Sequence, residues 1–180
     1  MYKPLKSYYS LNSERLLFRP IVGRDVDLWL PFFDNNSTLH FLGMTSSYFK
    51  GLSDVEKCSK WLGRQIEREK NQVYGQLAVI EKSSNKFIGV AGLIYRNEMG
   101  IENELEVTYS LLPKYHGKGY GTEAATLFKN FAFNEIGLDS VISIIHQEND
   151  ASKNVARKNG MSMEFEIPDY MGMPVYVFRA

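Results

Sequence analysis

The sequence is short of several things, and each shortage excludes a class of protein. It holds one cysteine, Cys58, in 180 residues, so no intramolecular disulfide framework can form. Cys58 falls inside a helical pattern and is expected to be a buried, inert thiol. There are three histidines, His40, His116 and His146. No two have metal-ligand spacing, so no metal is expected. Formal net charge is zero, which removes any global basic field for nucleic acid or an anionic membrane. No apolar run approaches the length needed to span a bilayer. The opening Met1-Tyr2-Lys3-Pro4-Leu5-Lys6-Ser7 lacks the apolar core of a signal peptide, so a reducing, cytoplasmic setting is expected. The P-loop spacing is absent. The dinucleotide fingerprint fails because position 122 is threonine and 124 is alanine. There is no G-x-S-x-G nucleophile elbow.

What remains has an ordinary globular composition, with 44% hydrophobic and 23% charged residues. The length suits one domain over 1–180. Residues 1–13 are polar and aromatic and read as a loose arm. Strand signals cover 13–20, 74–81, 87–95, 104–112 and 141–146, with a terminal hairpin from 161–166 and 173–179 around Pro168 and Gly172. Helical signals follow Asp25, which is placed to cap a helix that Pro31 ends. A second helix follows Ser53-Asp54-Val55-Glu56, a capping box, and runs to about Lys70 with Trp61, Leu62 and Ile66 as its buried face. Two more helices run from about 122 to Gly137 and from 151 to 159. Between the first two lies a Ser/Asn/Thr-rich connection over 34–50. Three antiparallel strands, then strand–helix–strand–helix, then a hairpin predict an α+β domain with one mixed sheet.

The densest signal is Leu111-Leu112-Pro113-Lys114-Tyr115-His116-Gly117-Lys118-Gly119-Tyr120-Gly121-Thr122-Glu123-Ala124. A strand pattern enters this stretch from Val107. A helical pattern leaves it, with Ala124, Leu127, Phe128, Phe131 and Ala132 in phase. Alternate glycines let the backbone turn tightly, so that successive N–H groups converge into an anion-binding nest. The helix behind adds its free N–H groups and the positive end of its dipole. A phosphate or pyrophosphate site is one reading; a ligand-free strand-to-helix turn is the other.

This stretch resembles the acyl-CoA pyrophosphate loop of the GNAT acetyltransferases, Q/R-x-x-G-x-G/A, here His116-Gly117-Lys118-Gly119-Tyr120-Gly121. The fuller text through Ala124, and Glu14-Arg15-Leu16 with Arg19-Pro20 to Asp25, looks like the branch of the ribosomal-protein N-terminal acetyltransferases RimJ and RimL. A second window, Asn149-Asp150-Ala151-Ser152 with Val155, Lys158, Gly160 and Met161, is similar to the family's N-x-x-S…V-x-x-K-x-G-F. Read locally, it is a helix cap and first turn.

The resemblance implies a mostly antiparallel sheet of about seven strands, helices on both faces and a splayed central strand pair that admits the acyl-CoA arm. It implies acetyl-CoA as cosubstrate and direct acetyl transfer to an amine, on a small molecule or a protein N-terminus. It also implies a backbone N–H at Leu111 facing the thioester oxygen. Asn149 would hold the pantetheine arm. Ser152 would be the proton donor to the thiolate, because Ala156 stands where many members have tyrosine. The loop contacts would come from His116, Gly117, Lys118, Gly119, Tyr120, Gly121 and Thr122. By analogy with the branch, the protein would be a homodimer.

Glu106, in Glu106-Val107-Thr108-Tyr109, stands at the Glu of the family's E-[IL]-G-Y, with Thr108 in place of Gly, and is the leading base. Glu104 lies two residues away on the same strand face, where mutual repulsion could raise one carboxyl pKa. Both could equally be solvated carboxylates on an open face. His146 is open as a second base or a structural histidine. Candidates for the acceptor pocket are Phe32, Phe33, Phe41, Tyr48, Phe49 and Tyr170. An acyl-CoA-binding module without turnover is the alternative function, and Ala156 and Thr108 are the residues that reading would cite.

Overall fold

The computed structural model describes residues 2–34, 36–42 and 49–180; Tyr48 lies outside them. In chain order come strand β1 (Leu16–Arg19), helix α1 (Asp25–Trp29), helix α2 (Asp54–Lys70), strands β2 (Gln76–Glu81), β3 (Lys86–Arg96) and β4 (Glu104–Leu111), helix α3 (Tyr120–Phe131), strand β5 (Ile142–His146), helix α4 (Asp150–Lys158) and strands β6 (Ser162–Tyr170) and β7 (Met173–Arg179). The strands form one seven-stranded sheet in the order β1-β2-β3-β4-β5-β7-β6. All neighbours are antiparallel except β4 and β5.

The local signals acted as their chemistry requires. Ser53 and Glu56 close both halves of the capping box at the start of α2. Asn85 takes a left-handed φ of 54° between β2 and β3, a conformation asparagine tolerates. The helix expected to end near Gly137 does so, through a π-helical turn over Ala132–Ile136 and a left-handed Gly137. Cys58 is fully buried, and burial pushes its thiol up to about 12, well away from the reactive thiolate form.

Three expectations are overturned. The arm is not loose: Lys6–Ser10 form a short 3-10 turn, and Tyr8 is completely buried. Its hydroxyl donates to the Gly75 carbonyl (2.6 Å) and accepts from the Leu93 N–H (2.8 Å). In the β2–β3 register those two groups would form the next pair beyond Gln76 and Gly92. A tyrosine hydroxyl has been inserted there. Asp25 is not the cap of α1 but its first residue. It is fully buried, held by both guanidinium nitrogens of Arg19 (2.7 Å each) and by the Val22 N–H (2.9 Å). Pro168 does not lie in the turn. β6 runs through it to Tyr170, with irregular register around it. β6 is an edge strand and its pairing is irregular at this point, both settings in which a strand tolerates proline.

Candidate active site

β4 alternates as its sequence requires. Leu105, Val107 and Leu111 are buried on the face towards α3, where the Cβ position of Gly121 lies 3.4 Å from the Tyr109 ring. Glu106, Thr108 and Ser110 line a cleft of about 650 Å³ on the other face, beneath Trp61, Arg64, Gln65 and Arg68 of α2. Ser143, Ile144, His146, Asn149, Ser152 and Tyr170 also line it.

The cleft reaches the point where the sheet opens. β4 and β5 are in register at one pair, Glu106 and Ile142. The Leu112 N–H bonds to the Ile88 carbonyl across β3 (2.9 Å). By the alternation of strand hydrogen bonds, the polar groups of Val107, Tyr109 and Leu111 therefore face β5. A continuing parallel ladder would next join the Ile144 N–H to the Val107 carbonyl. Neither group does this. The Ser143 hydroxyl donates to the Val107 carbonyl (3.1 Å), and the Glu106 carboxylate accepts the Ile144 N–H (3.4 Å). Two side chains thus satisfy the backbone where the strands part.

Further along the wedge, the Leu111 carbonyl is held by His116 Nε2 (2.8 Å), while its N–H faces the gap. The glycine loop begins here. Gly117 and Gly119 adopt φ of 73° and 82°, and Gly119 is the residue preceding α3. Among the described residues, the N–H groups of Gly117 through Thr122 have no hydrogen-bond acceptor; Glu123 is the first to bond back, to the Gly119 carbonyl (3.0 Å). Gly121 serves a different purpose, close approach to Tyr109, since its φ is not in the left-handed region. The loop is braced from behind. Arg15 donates to the Lys118 carbonyl (3.0 Å) and pairs with Glu123 (2.6 Å), which also receives the Ser13 hydroxyl (2.6 Å). The carboxylate in the first turn of α3 is thus balanced by its own arginine. The Tyr120 side chain turns inward, its hydroxyl on the Glu81 carboxylate, so it can offer a ligand its backbone only. These orphaned N–H groups at a helix N-terminus fit a pyrophosphate.

Asn149 caps α4, its side-chain oxygen accepting the Ser152 N–H (3.1 Å); its amide nitrogen has no partner among the described residues. Ser152 stands in the first turn of α4 on the cleft wall. Tyr109, missed as a site residue because it reads as a core position of β4, reaches the same turn. Its hydroxyl donates to the Ser152 carbonyl (3.5 Å), and burial pushes its pKa up to about 12, so it stays a donor.

The two carboxylates of β4 do not repel one another across an open face. Glu106 is 5% exposed and its Oε2 lies 2.6 Å from both Nε and Nη2 of Arg96. Glu104 pairs separately with Arg179 (2.6 Å). The partner of Glu106 lies on β3, ten residues away, and only the register reveals it. His146 is buried beside His40 and Phe41, with ring centroids at 5.7 and 5.0 Å. Its Nδ1 accepts the Glu148 N–H (3.1 Å), which places the neutral ring's hydrogen on Nε2. Burial holds its pKa below the ordinary imidazole value. With Nδ1 so engaged, the neutral ring has Nε2–H as its remaining polar group. Of the aromatic candidates, Phe41, Phe49 and Tyr170 line the cleft, while Phe32 and Phe33 are buried in the core; Phe32 stacks on Trp29 at 4.1 Å. Among the described residues no cluster of three metal-ligating side chains exists, and no helix is long and apolar enough to cross a membrane.

Residues 15–162 match the Acetyltransferase (GNAT) domain family. YkkB of Bacillus subtilis, an uncharacterized protein, is 29% identical over 64% of this chain and 66% of its own length. The spermidine N(1)-acetyltransferase of Escherichia coli K12 is 28% identical over 87% of this chain and 77% of its own. The solved structure of RimL, the ribosomal L7/L12 alpha-N-protein acetyltransferase in complex with coenzyme A, superposes with a TM-score of 0.71 at 15% identity, covering 93% of this chain and 94% of that one. A parted parallel strand pair, a nest of unpaired N–H groups and a family match over most of the sequence point the same way: the chain is an N-acetyltransferase of the GNAT family.

Proposed function

We propose that the protein transfers an acetyl group from acetyl-CoA directly to a primary amine, with a protein N-terminal α-amine as the leading acceptor. The observation that carries this reading is the alignment along one wedge of the unpaired loop N–H groups, the free Leu111 N–H and a cleft containing Glu106 and Ser152. Acetyl-CoA, when bound, supplies the acetyl group on its thioester.

The chain's own residues supply the rest. Gly117 through Thr122 offer backbone donors to the pyrophosphate. The Leu111 N–H faces the thioester oxygen as an oxyanion-hole donor. Asn149 holds the pantetheine arm with the amide nitrogen that its capping bond leaves free. An α-amine with a pKa near ~7.7–8.0 is roughly a tenth neutral at pH 7, so a base must take a proton as the amine attacks. Glu106 fills that role, oriented by Arg96; the tautomer of His146 leaves it no lone pair to offer. The Ser152 hydroxyl protonates the departing thiolate, on a turn that Tyr109 supports. The branch resemblance in the glycine loop and in Glu14 to Asp25 favours a protein N-terminus over a polyamine.

The test is thiol release from acetyl-CoA with peptides bearing free N-termini, spermidine and aminoglycosides, on wild type, Glu106→Gln and Ser152→Ala. Turnover with a peptide, lost in Glu106→Gln while CoA still binds by calorimetry, is the expected result. Full turnover in Ser152→Ala would remove that residue as the acid. Failure to bind CoA would overturn the whole reading.

A further inference from the structure

The acceptor side of the cleft holds a guanidinium, Arg68, that no carboxylate pairs among the described residues. α2 presents Arg64 and Arg68, one helical turn apart, and β3 adds Arg96; Glu106 is the carboxylate among the cleft's lining residues. Arg96 is already matched. Glu106 takes its Nε and Nη2 edge, and Glu98, itself bonded to the Tyr170 hydroxyl (2.8 Å), takes Nη1 at 3.3 Å. Arg68 is not. Among the described residues it makes no ion pair, and its bond goes to a neutral oxygen, Gln65 Oε1 (3.1 Å). That oxygen is shared with the Gln76 N–H (2.9 Å), so it is a weak substitute for an anion. The charged groups around Arg68 are Arg96 and Arg64, which repel it, and Glu106 and Glu98, which attract it. Burial and the two arginines outweigh the carboxylates and hold its pKa below the ordinary guanidinium value. A half-buried guanidinium of this kind gains by meeting a carboxylate, with which it can form a forked, charge-assisted pair.

We propose that Arg68 binds a carboxylate carried by the acceptor, so that the preferred acceptor is an amine with acidic groups close by and not a polyamine. The inference rests on the acetyltransferase reading and narrows it. A cationic acceptor would bring further positive charge against Arg68, which has no carboxylate of its own among the described residues. An α-amine next to a side-chain carboxylate would place its charge on Arg68 and its nitrogen towards Glu106. The carboxylate can belong to an acidic peptide N-terminus or to a free amino acid such as glutamate.

The test uses protein loaded with CoA, which cannot turn over, and titrates five probes by calorimetry: Ser-Asp-Glu-Tyr, Ser-Asn-Gln-Tyr and Ser-Lys-Lys-Tyr amides, glutamate and spermidine. One anionic probe is expected to bind at least about tenfold tighter than the neutral peptide, or about 1.4 kcal/mol. Which of the two does so identifies the source of the carboxylate. Arg68→Gln should erase that preference while CoA affinity holds, and Arg68→Lys should keep part of it. In thiol release with acetyl-CoA, the loss in Arg68→Gln should fall on KM for the anionic acceptor. Equal or tighter binding of the neutral, lysine or spermidine probes overturns the proposal, as does a preference that survives Arg68→Gln or the failure of both anionic probes to bind. None of those outcomes touches CoA binding, which tests the parent reading separately.

Discussion

At the α3 end of the wedge the contacts on offer are backbone groups: N–H donors from consecutive residues, freed by two left-handed glycines. At the α2 end they are side chains brought in from distant parts of the chain: Arg68 from α2, Arg96 from β3, Glu106 from β4, His146 from β5 and Tyr170 from β6. The first end is a local property of a short sequence and tolerates almost any side chain that leaves the turn intact. The second depends on register and on buried charge, and single substitutions reach it directly. A phosphate-bearing cosubstrate common to a family suits the first kind of site, and an acceptor particular to one protein suits the second.

The largest expected effect comes from removing the charge at the second end. Glu106→Ala leaves the Ile144 N–H unmet and Arg96 with only its longer contact to Glu98, and breaking a buried pair costs about 3–5 kcal/mol. Denaturant unfolding should show a loss of that order. A change within a few tenths would mean that solvent screens the Glu106–Arg96 pair and that the contrast between the ends is overdrawn.

At the first end, Gly119→Val places a β-branched residue at φ 82° with Arg15 Nη2 only 3.4 Å from its Cβ. The left-handed conformation costs roughly 1–2 kcal/mol for a residue with a Cβ. Stability should fall by about that much, and calorimetry should show CoA affinity down by about tenfold, as relaxation of the turn turns N–H groups away. Unaltered affinity would remove the nest as the phosphate seat.

The smallest effect concerns His146. An unfolded chain protonates its imidazole near ~6.5, whereas burial keeps His146 neutral to lower pH. Below that point the unfolded state binds more protons, so the contribution of His146 is complete above about 6.5 and declines as pH falls. Unfolding midpoints followed from pH 7.5 to 5 should drop further for wild type than for His146→Gln. Parallel curves would show that the imidazole is well solvated.

The same contrast explains what the sequence revealed. The glycine loop, the capping box at Ser53 and the alternation in β4 are local patterns, and each took the form its spacing implied. Glu106 and Ser152 were placed on one cleft by their positions on β4 and α4. Arg96 and Arg68 were invisible as site residues, because neither has a neighbour in the chain that signals a ligand. Tyr109 read as core because its packing and its hydrogen bond to α4 share one side chain. The arm over 1–13 reads as loose because nothing in Lys6–Ser10 announces that the Tyr8 hydroxyl will stand between β2 and β3. Pro168 reads as a turn residue because a strand accepts proline only at an edge, a first position or a bulge, and the sequence does not say where the edge and the irregular pairing will fall.

The parting of β4 and β5 bears on how fast the wedge fills. With Ser143 on the Val107 carbonyl and Glu106 on the Ile144 N–H, the first two backbone groups that a continuing ladder would join are already met by side chains. There is little drive for the strands to zip shut while the site waits, and a ligand arriving in the gap has no strand pairing to break. Association that needs no prior rearrangement stays closer to the encounter limit. The hydroxyl and the carboxylate at the fork thus hold apart the two groups that would otherwise pair first.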